Sequence, residues 1–334
     1  MNHIERLDAV LNGQTPDRPP FSFWYHFAPG YAHGEAALEA HSQHVETNDP
    51  DFLKIMDDNR YPRPATPDGL VTEPSHLDQL TVLDGDEDAF GRQLDLIRGL
   101  VRRFDGRLRM ATTVFNAWTS LRNMTVPDPG GYGPPTAKAG PDPREATMSR
   151  FMRESPEALR RALEVIAEST ANFVRHAVEA GADGIFLSVR DDWVDNDENG
   201  FGMYDQMVTP GDLQILAAAS RGEFNMLHVC GKAVDFARFA GYPAHVLSWA
   251  DRYSGPSIAE VVAWVSPAIC AGLDNLTTMP KGSPADCAAE VADALRQAGG
   301  RPIIVAPGCT FDPDAVPAAN LKAIREAIEN SRYI

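Results

Sequence analysis

Cysteine is scarce: four in 334 residues, Cys230, Cys270, Cys287 and Cys309. That number excludes a disulfide-stapled scaffold, and few cysteines in a chain of this size are expected to be buried, metal-bound or catalytic. No apolar run approaches the ~20 residues that a bilayer span needs. The opening residues, Met1-Asn2-His3-Ile4-Glu5-Arg6, show no basic segment leading into an apolar one, so no secretory signal is read and a cytoplasmic location is expected. Basic residues are few beside acidic ones, 30 against 47, for a net charge of −17. Such a surface repels phosphate backbones and anionic bilayers, which removes nucleic acid and membrane from the expected partners. There is no Walker lysine loop and no Gly-x-Ser-x-Gly, and Gly200-Phe201-Gly202 lacks the third glycine of a dinucleotide fingerprint.

What is present is an alternation of short apolar runs with helical spacing. A helix is predicted over 2–12, ending at Gly13, and a strand over Phe21 to Phe27 after the rigid Pro19-Pro20. Helical spacing returns at 35–47 and 89–104, and a strand at 108–115. Ser155-Pro156 opens a long helix that runs to Glu179. Strands at 183–189, 224–229, 245–248, 268–272 and 302–306 then alternate with helices at 209–221, 232–240, 257–264, 284–298 and 314–330. Strands alternating with helices imply right-handed βαβ units and a parallel sheet. About eight strands predict a (β/α)8 TIM-type barrel in one domain over 1–334, with a Pro/Gly-rich loop at 126–144.

In such barrels chemistry sits where strands end. His228-Val229-Cys230 closes one predicted strand, and Cys309 follows Pro307-Gly308 at the end of the last. Residues i and i+2 of a strand share a side, so His228 and Cys230 can both face inward, and Cys309 converges on them. One imidazole and two thiolates suit Zn2+ with a position left open, the pattern of a catalytic site. Against this stands the ordinary use of cysteine as a small buried hydrophobe; Cys270, within a strand, and Cys287, on a helix, are read as core or surface residues.

Other strand-end residues are candidates of lesser weight. His26 ends the first predicted strand and Trp24 shares its side; His26 is a candidate catalytic residue and Trp24 a substrate contact. Asp251 ends another strand, as a catalytic group or as the orienter of the ligand histidine. Asn116 with Trp118, and Arg190 with Asp191 and Asp192, are candidates for substrate binding. His41 and His44 are read as solvated residues of an exposed helix. Asp195 to Gly200 resembles the start of an EF-hand loop, but the twelfth position is Gln206 and a strand precedes it, so an acidic βα loop is expected.

Taken in order, several stretches resemble the uroporphyrinogen decarboxylase superfamily along nearly the whole chain. They are Asp17-Arg18-Pro19-Pro20, Asp51-Phe52-Leu53-Lys54, Ala180-Gly181-Ala182-Asp183, His228-Val229-Cys230-Gly231, Leu247 to Asp251, Gly272 to Pro284, and Pro307-Gly308-Cys309 leading to Pro317-Ala318-Ala319-Asn320-Leu321. The resemblance implies a distorted (β/α)8 barrel. Porphyrinogen decarboxylases carry arginines soon after the first strand that hold propionates. Here Phe23 to Tyr31 has none, and no arginine lies between Arg18 and Arg60. Where decarboxylases have a C-terminal Gly-His-Gly, this chain has Gly308-Cys309-Thr310. A polycarboxylate finds little to bind without a cationic clamp.

Those departures are similar to the zinc methyltransferase branch, such as the methylcobamide:coenzyme M methyltransferases, whose His-x-Cys and distant Cys fall on His228, Cys230 and Cys309. The resemblance implies Zn2+, a small-molecule thiol acceptor, and a methylated small molecule or a methylated corrinoid as donor. With no Asp-x-His-x-x-Gly segment in the chain, a corrinoid would come from a separate protein. A monomer or homodimer is expected. Decarboxylation of a small acid through Arg190, zinc hydrolase or lyase chemistry, and a non-catalytic binding role on the same barrel are the alternatives.

Overall fold

Among the described residues, seven strands hydrogen-bond in sequence order, all parallel: β1 Phe52–Ile55, β2 Arg109–Phe115, β3 Gly184–Val189, β4 Met226–Val229, β5 Val246–Trp249, β6 Ala268–Leu273 and β7 Ile303–Pro307. The computed structural model describes residues 1–127 and 142–332. Helices fill the connections, the longest being Pro156–Glu179. The architecture is the expected distorted (β/α)8 barrel. Most of the predicted Pro/Gly-rich loop lies outside the described residues, but its expected end at Arg144 is corrected. Pro143 starts the helix Pro143–Glu154, with the Asp142 side chain accepting from Arg144 N–H.

The predicted first strand is the main correction. Phe21 to Phe27 forms no ladder; only Phe21 bridges, to Val305. Pro19 and Pro20 have no N–H to offer a neighbour. The segment still does a strand's work at one point. Pro20 O accepts from Val305 N–H at 2.9 Å, and Phe21 O accepts from Asp51 N–H at 2.8 Å, so it sits between β7 and the start of β1. Its alternation also survives. Phe21 and Phe23 join the core under the helices, whereas Trp24 turns inward onto Phe52 and Phe186.

The inward-facing side chains form a second, smaller core. Phe52, Ala111, Phe186, Met226, Val246, Cys270 and Ile304 meet there. Leu7 and Val10, from the N-terminal helix His3–Leu11, pack into the same cluster and close the barrel floor. Cys270 and Cys287 are fully buried, as core residues.

Several helices are shorter than their spacing suggested. The predicted helix 232–240 is reduced to Phe236–Phe239. Its N-terminal half is held instead by two aspartates: Lys232 N–H donates to Asp192 at 2.8 Å and Asp235 N–H to Asp191 at 3.0 Å. The predicted 257–264 is only Ile258–Val261, and 314–330 begins at Ala318, just after Pro317.

Candidate metal centre

The ends of β4 and β7 bring His228, Cys230 and Cys309 together. One ligand atom from each lies within 4.8 Å of the others, and these are the only such three-residue group among the described residues. His228 is inward by alternation with Met226 on β4. Cys230 extends the strand by one residue, its N–H donating to Val189 O at 2.9 Å. The backbone then reverses at Gly231, where φ is +125°; a Cβ there would meet Val234 at 2.6 Å and Asp192 at 2.9 Å. Cys309 is delivered by Gly308, whose own Cβ would lie 2.8 Å from Ala250 Cα. Glycine at 308 therefore lets β7 approach the β5 loop closely enough to present the sulfur.

Each ligand has a support. His228 Nδ1 lies 3.2 Å from Ser248 Oγ on the neighbouring strand, directly in register. That contact leaves Nε2 for the metal side. Phe186 stacks on the imidazole, with centroids 5.1 Å apart. Cys309 N–H donates to Asn275 Oδ1 at 3.1 Å, and Asn275 Nδ2 donates to Thr310 O at 2.9 Å. Tyr253 O–H donates to the same Asn275 oxygen at 3.0 Å.

Electrostatics separate the two thiols. The Cys230 S–H bond to Cys309, together with His228, holds Cys309 well below the ordinary thiol range against the cost of burial. Cys230 is pushed well above it, by that same bond first and by burial second. The donor set fits zinc. Bonds of about 2.3 Å to sulfur and 2.0 Å to nitrogen at tetrahedral angles separate ligand atoms by roughly 3.5–3.8 Å, inside the 4.8 Å that bounds the separations here. Three ligands leave one position for a substrate atom.

The remaining candidates are dispersed. His26 Nδ1 lies 2.7 Å from Asp58 Oδ1. Trp24 is buried in the inner core. Asp251 accepts from Gly272 N–H at 2.9 Å and pairs with Arg252 at 3.2 Å; Ser248, rather than Asp251, holds the ligand histidine. Arg190 and Asp192 are paired with each other through two hydrogen bonds, and the Arg190 guanidinium lies 4.1 Å over Trp193. Asn116, fully buried, caps the helix Ala117–Met124 through Thr119 N–H and donates to Tyr204 Oη at 3.1 Å. Trp118 is also fully buried, so both are packing residues and not pocket walls.

The expectation that His41 and His44 are solvated is overturned. Both are buried. His41 Nδ1 meets Ala37 O at 2.8 Å and its Nε2 accepts from Met56 N–H at 3.1 Å, while His44 Nε2 meets Phe23 O at 3.0 Å. Burial lowers the pKa of each to about 4. Asp195 caps Tyr204 N–H and pairs with Arg238, so the acidic loop is spent on structure.

Three residues of the centre escape sequence reasoning: Ser248, Asn275 and Lys54. Lys54 alone left a signal, a charged residue inside the otherwise apolar β1.

A parallel α/β barrel with a histidine and two cysteines converging at its mouth defines the class. The uroporphyrinogen decarboxylase (URO-D) family profile matches residues 55–331, and the chain belongs to that family. Among solved structures it is similar to a methyltransferase from Methanosarcina mazei, with 16% identity, a TM-score of 0.67 and 98% of each chain covered. A putative vitamin-B12 independent methionine synthase from Listeria monocytogenes is more distant: 9% identity, TM-score 0.44, covering 70% of this chain and 67% of that one. No curated protein sequence matches. No described helix is long and apolar enough to cross a membrane.

Proposed function

We propose that this chain is a zinc-dependent methyltransferase that activates a thiol acceptor. The observation that carries the reading is the convergence of His228, Cys230 and Cys309 within 4.8 Å at the barrel mouth. The fold similarity to the Methanosarcina methyltransferase supports it, and so does the absence of any arginine between Arg18 and Arg60 to pair with the carboxylates of a porphyrinogen. A free thiol with a pKa of about 8.5 is mostly protonated at neutral pH. Zn2+ held by these three side chains would bind the acceptor sulfur as thiolate while leaving it nucleophilic.

The protein's own part is positional. Ser248 and Phe186 fix the imidazole, and Asn275 fixes the Cys309 turn. In the reaction the acceptor S–H bond gives its proton to solvent. A sulfur lone pair then forms the new S–C bond, and the bond from methyl to donor breaks with its electron pair left on the donor. The donor is a methylated small molecule or a methylated corrinoid presented by a separate protein.

Purified protein should carry one zinc per chain by elemental analysis, and Cys309→Ser should lose it. Loaded protein should consume a thiol in the presence of methylcobalamin or a methylated small donor. Full activity without metal, or metal retained by Cys309→Ser, would defeat the proposal.

A further inference from the structure

Lys54 is a buried cation with no direct ion pair among the described residues. It stands on β1 between Phe52 and Met56, both inward, and is 5% exposed. Its Nζ lies 3.1 Å from Met56 Sδ and 4.5 Å from the centroid of Phe186. No carboxylate lies within ion-pairing distance of it among the described residues. The same Phe186 ring stacks on His228, so the ammonium sits beside the aromatic floor of the metal centre. Burial lowers its pKa to about 8, and the negative charge that offsets this comes first from Cys309, then from Asp58 and Asp57.

An ammonium buried without a direct ion pair is costly; Asp58 and Asp57 offset part of that cost, and charge counting at the metal centre shows what can offset more. A divalent ion with one neutral imidazole and two thiolates has no net charge. A thiolate in the fourth position makes the centre a monoanion. A neutral fourth ligand does not.

Resting on the methyltransferase reading, we infer that Lys54 is a positioning residue that supplies the counter-charge for an anionic fourth ligand, and so selects a substrate thiolate over neutral donors. It touches neither the metal nor the substrate sulfur. It acts through the field that it places under Cys309 and the open position.

The test uses the Co2+-loaded full chain with two probes, 2-mercaptoethanol as the anionic ligand and imidazole as the neutral one, each titrated by visible absorption. Lys54→Met should still load one Co2+ per chain and bind imidazole as the native protein does. Its thiol affinity should fall on the order of tenfold or more, and Lys54→Arg should recover most of that loss. Lys54→Gln, neutral and of similar reach, gives the same comparison should Lys54→Met not load metal. Equal thiol affinity in native and neutral variants overturns the inference and leaves the methyltransferase reading standing. Loaded native protein that binds no thiol overturns both.

Discussion

Ser248 Oγ and His228 Nδ1 lie 3.2 Å apart on adjacent strands. The contact is set by register, since their Cα atoms are paired across β4 and β5. The rigid sheet, and not a loop, thus fixes which imidazole nitrogen faces the two sulfurs.

Ser248→Ala should therefore leave the fold intact and weaken zinc binding by about 10- to 100-fold, the usual effect of losing such a support. Competition with a chromophoric chelator measures it. Unchanged affinity would show that stacking on Phe186 alone orients the ring.

Gly308→Ala places a methyl group 2.8 Å from Ala250 Cα and 3.0 Å from Ala250 Cβ. Backbone cannot yield as a side-chain tip does, so the end of β7 must shift. The expected cost is about 1–3 kcal/mol of stability, with a larger loss in zinc affinity because Cys309 moves with it. Denaturant melts and metal titration of the same preparation separate the two effects.

In metal-free protein the two thiols should differ in reactivity. Cys309 is held low and Cys230 high, and the thiolate is the nucleophile. Iodoacetamide at neutral pH should label Cys309 first, and its rate should persist as the pH falls, because a lowered pKa keeps the thiolate. Peptide mass mapping reads the order, and bound zinc should protect both.

Asp212 gives a pH dependence remote from the metal. Burial raises its pKa to about 7, against the lowering effect of Tyr204, Asn116 and Tyr242. A carboxyl raised in the folded state stays protonated there, while the unfolded chain ionises near its ordinary value. Its contribution to stability is thus present below about pH 4 and is lost as the pH rises through about 7. Asp212→Asn keeps an acceptor for Tyr204 Oη, now 2.5 Å from the carboxylate, and should flatten that decline. Melting temperatures from pH 4 to 8 decide it.

The convergence of His228, Cys230 and Cys309 was legible because it obeys strong local rules. His228 and Cys230 are two apart at a strand end, and Pro307-Gly308 announces the turn before Cys309. Ser248 and Asn275 were not legible, because a serine in a strand and an asparagine in a loop have no signature until register and turn place them. Trp24 turns inward onto Phe52 and Phe186 although its predicted strand does not form, since alternation outlasts the lost ladder. Asn116 is spent as the cap of the helix that follows β2 at once, a use that its place after a strand did not announce. His41 and His44 misled because polar neighbours on Gly34–Asn48 hide how far the segment 21–27 folds over them.

The helix that seats Leu7 and Val10 in the barrel floor closes the end of the barrel opposite His228, Cys230 and Cys309. Under the proposed methyl transfer, acceptor and donor then share the mouth, and the acceptor's sulfur takes the deeper berth. The thiol must therefore be aboard before the donor covers the opening, and the products must leave in the reverse order. Such traffic requires a ternary complex, so double-reciprocal plots at several fixed donor concentrations should intersect rather than run parallel.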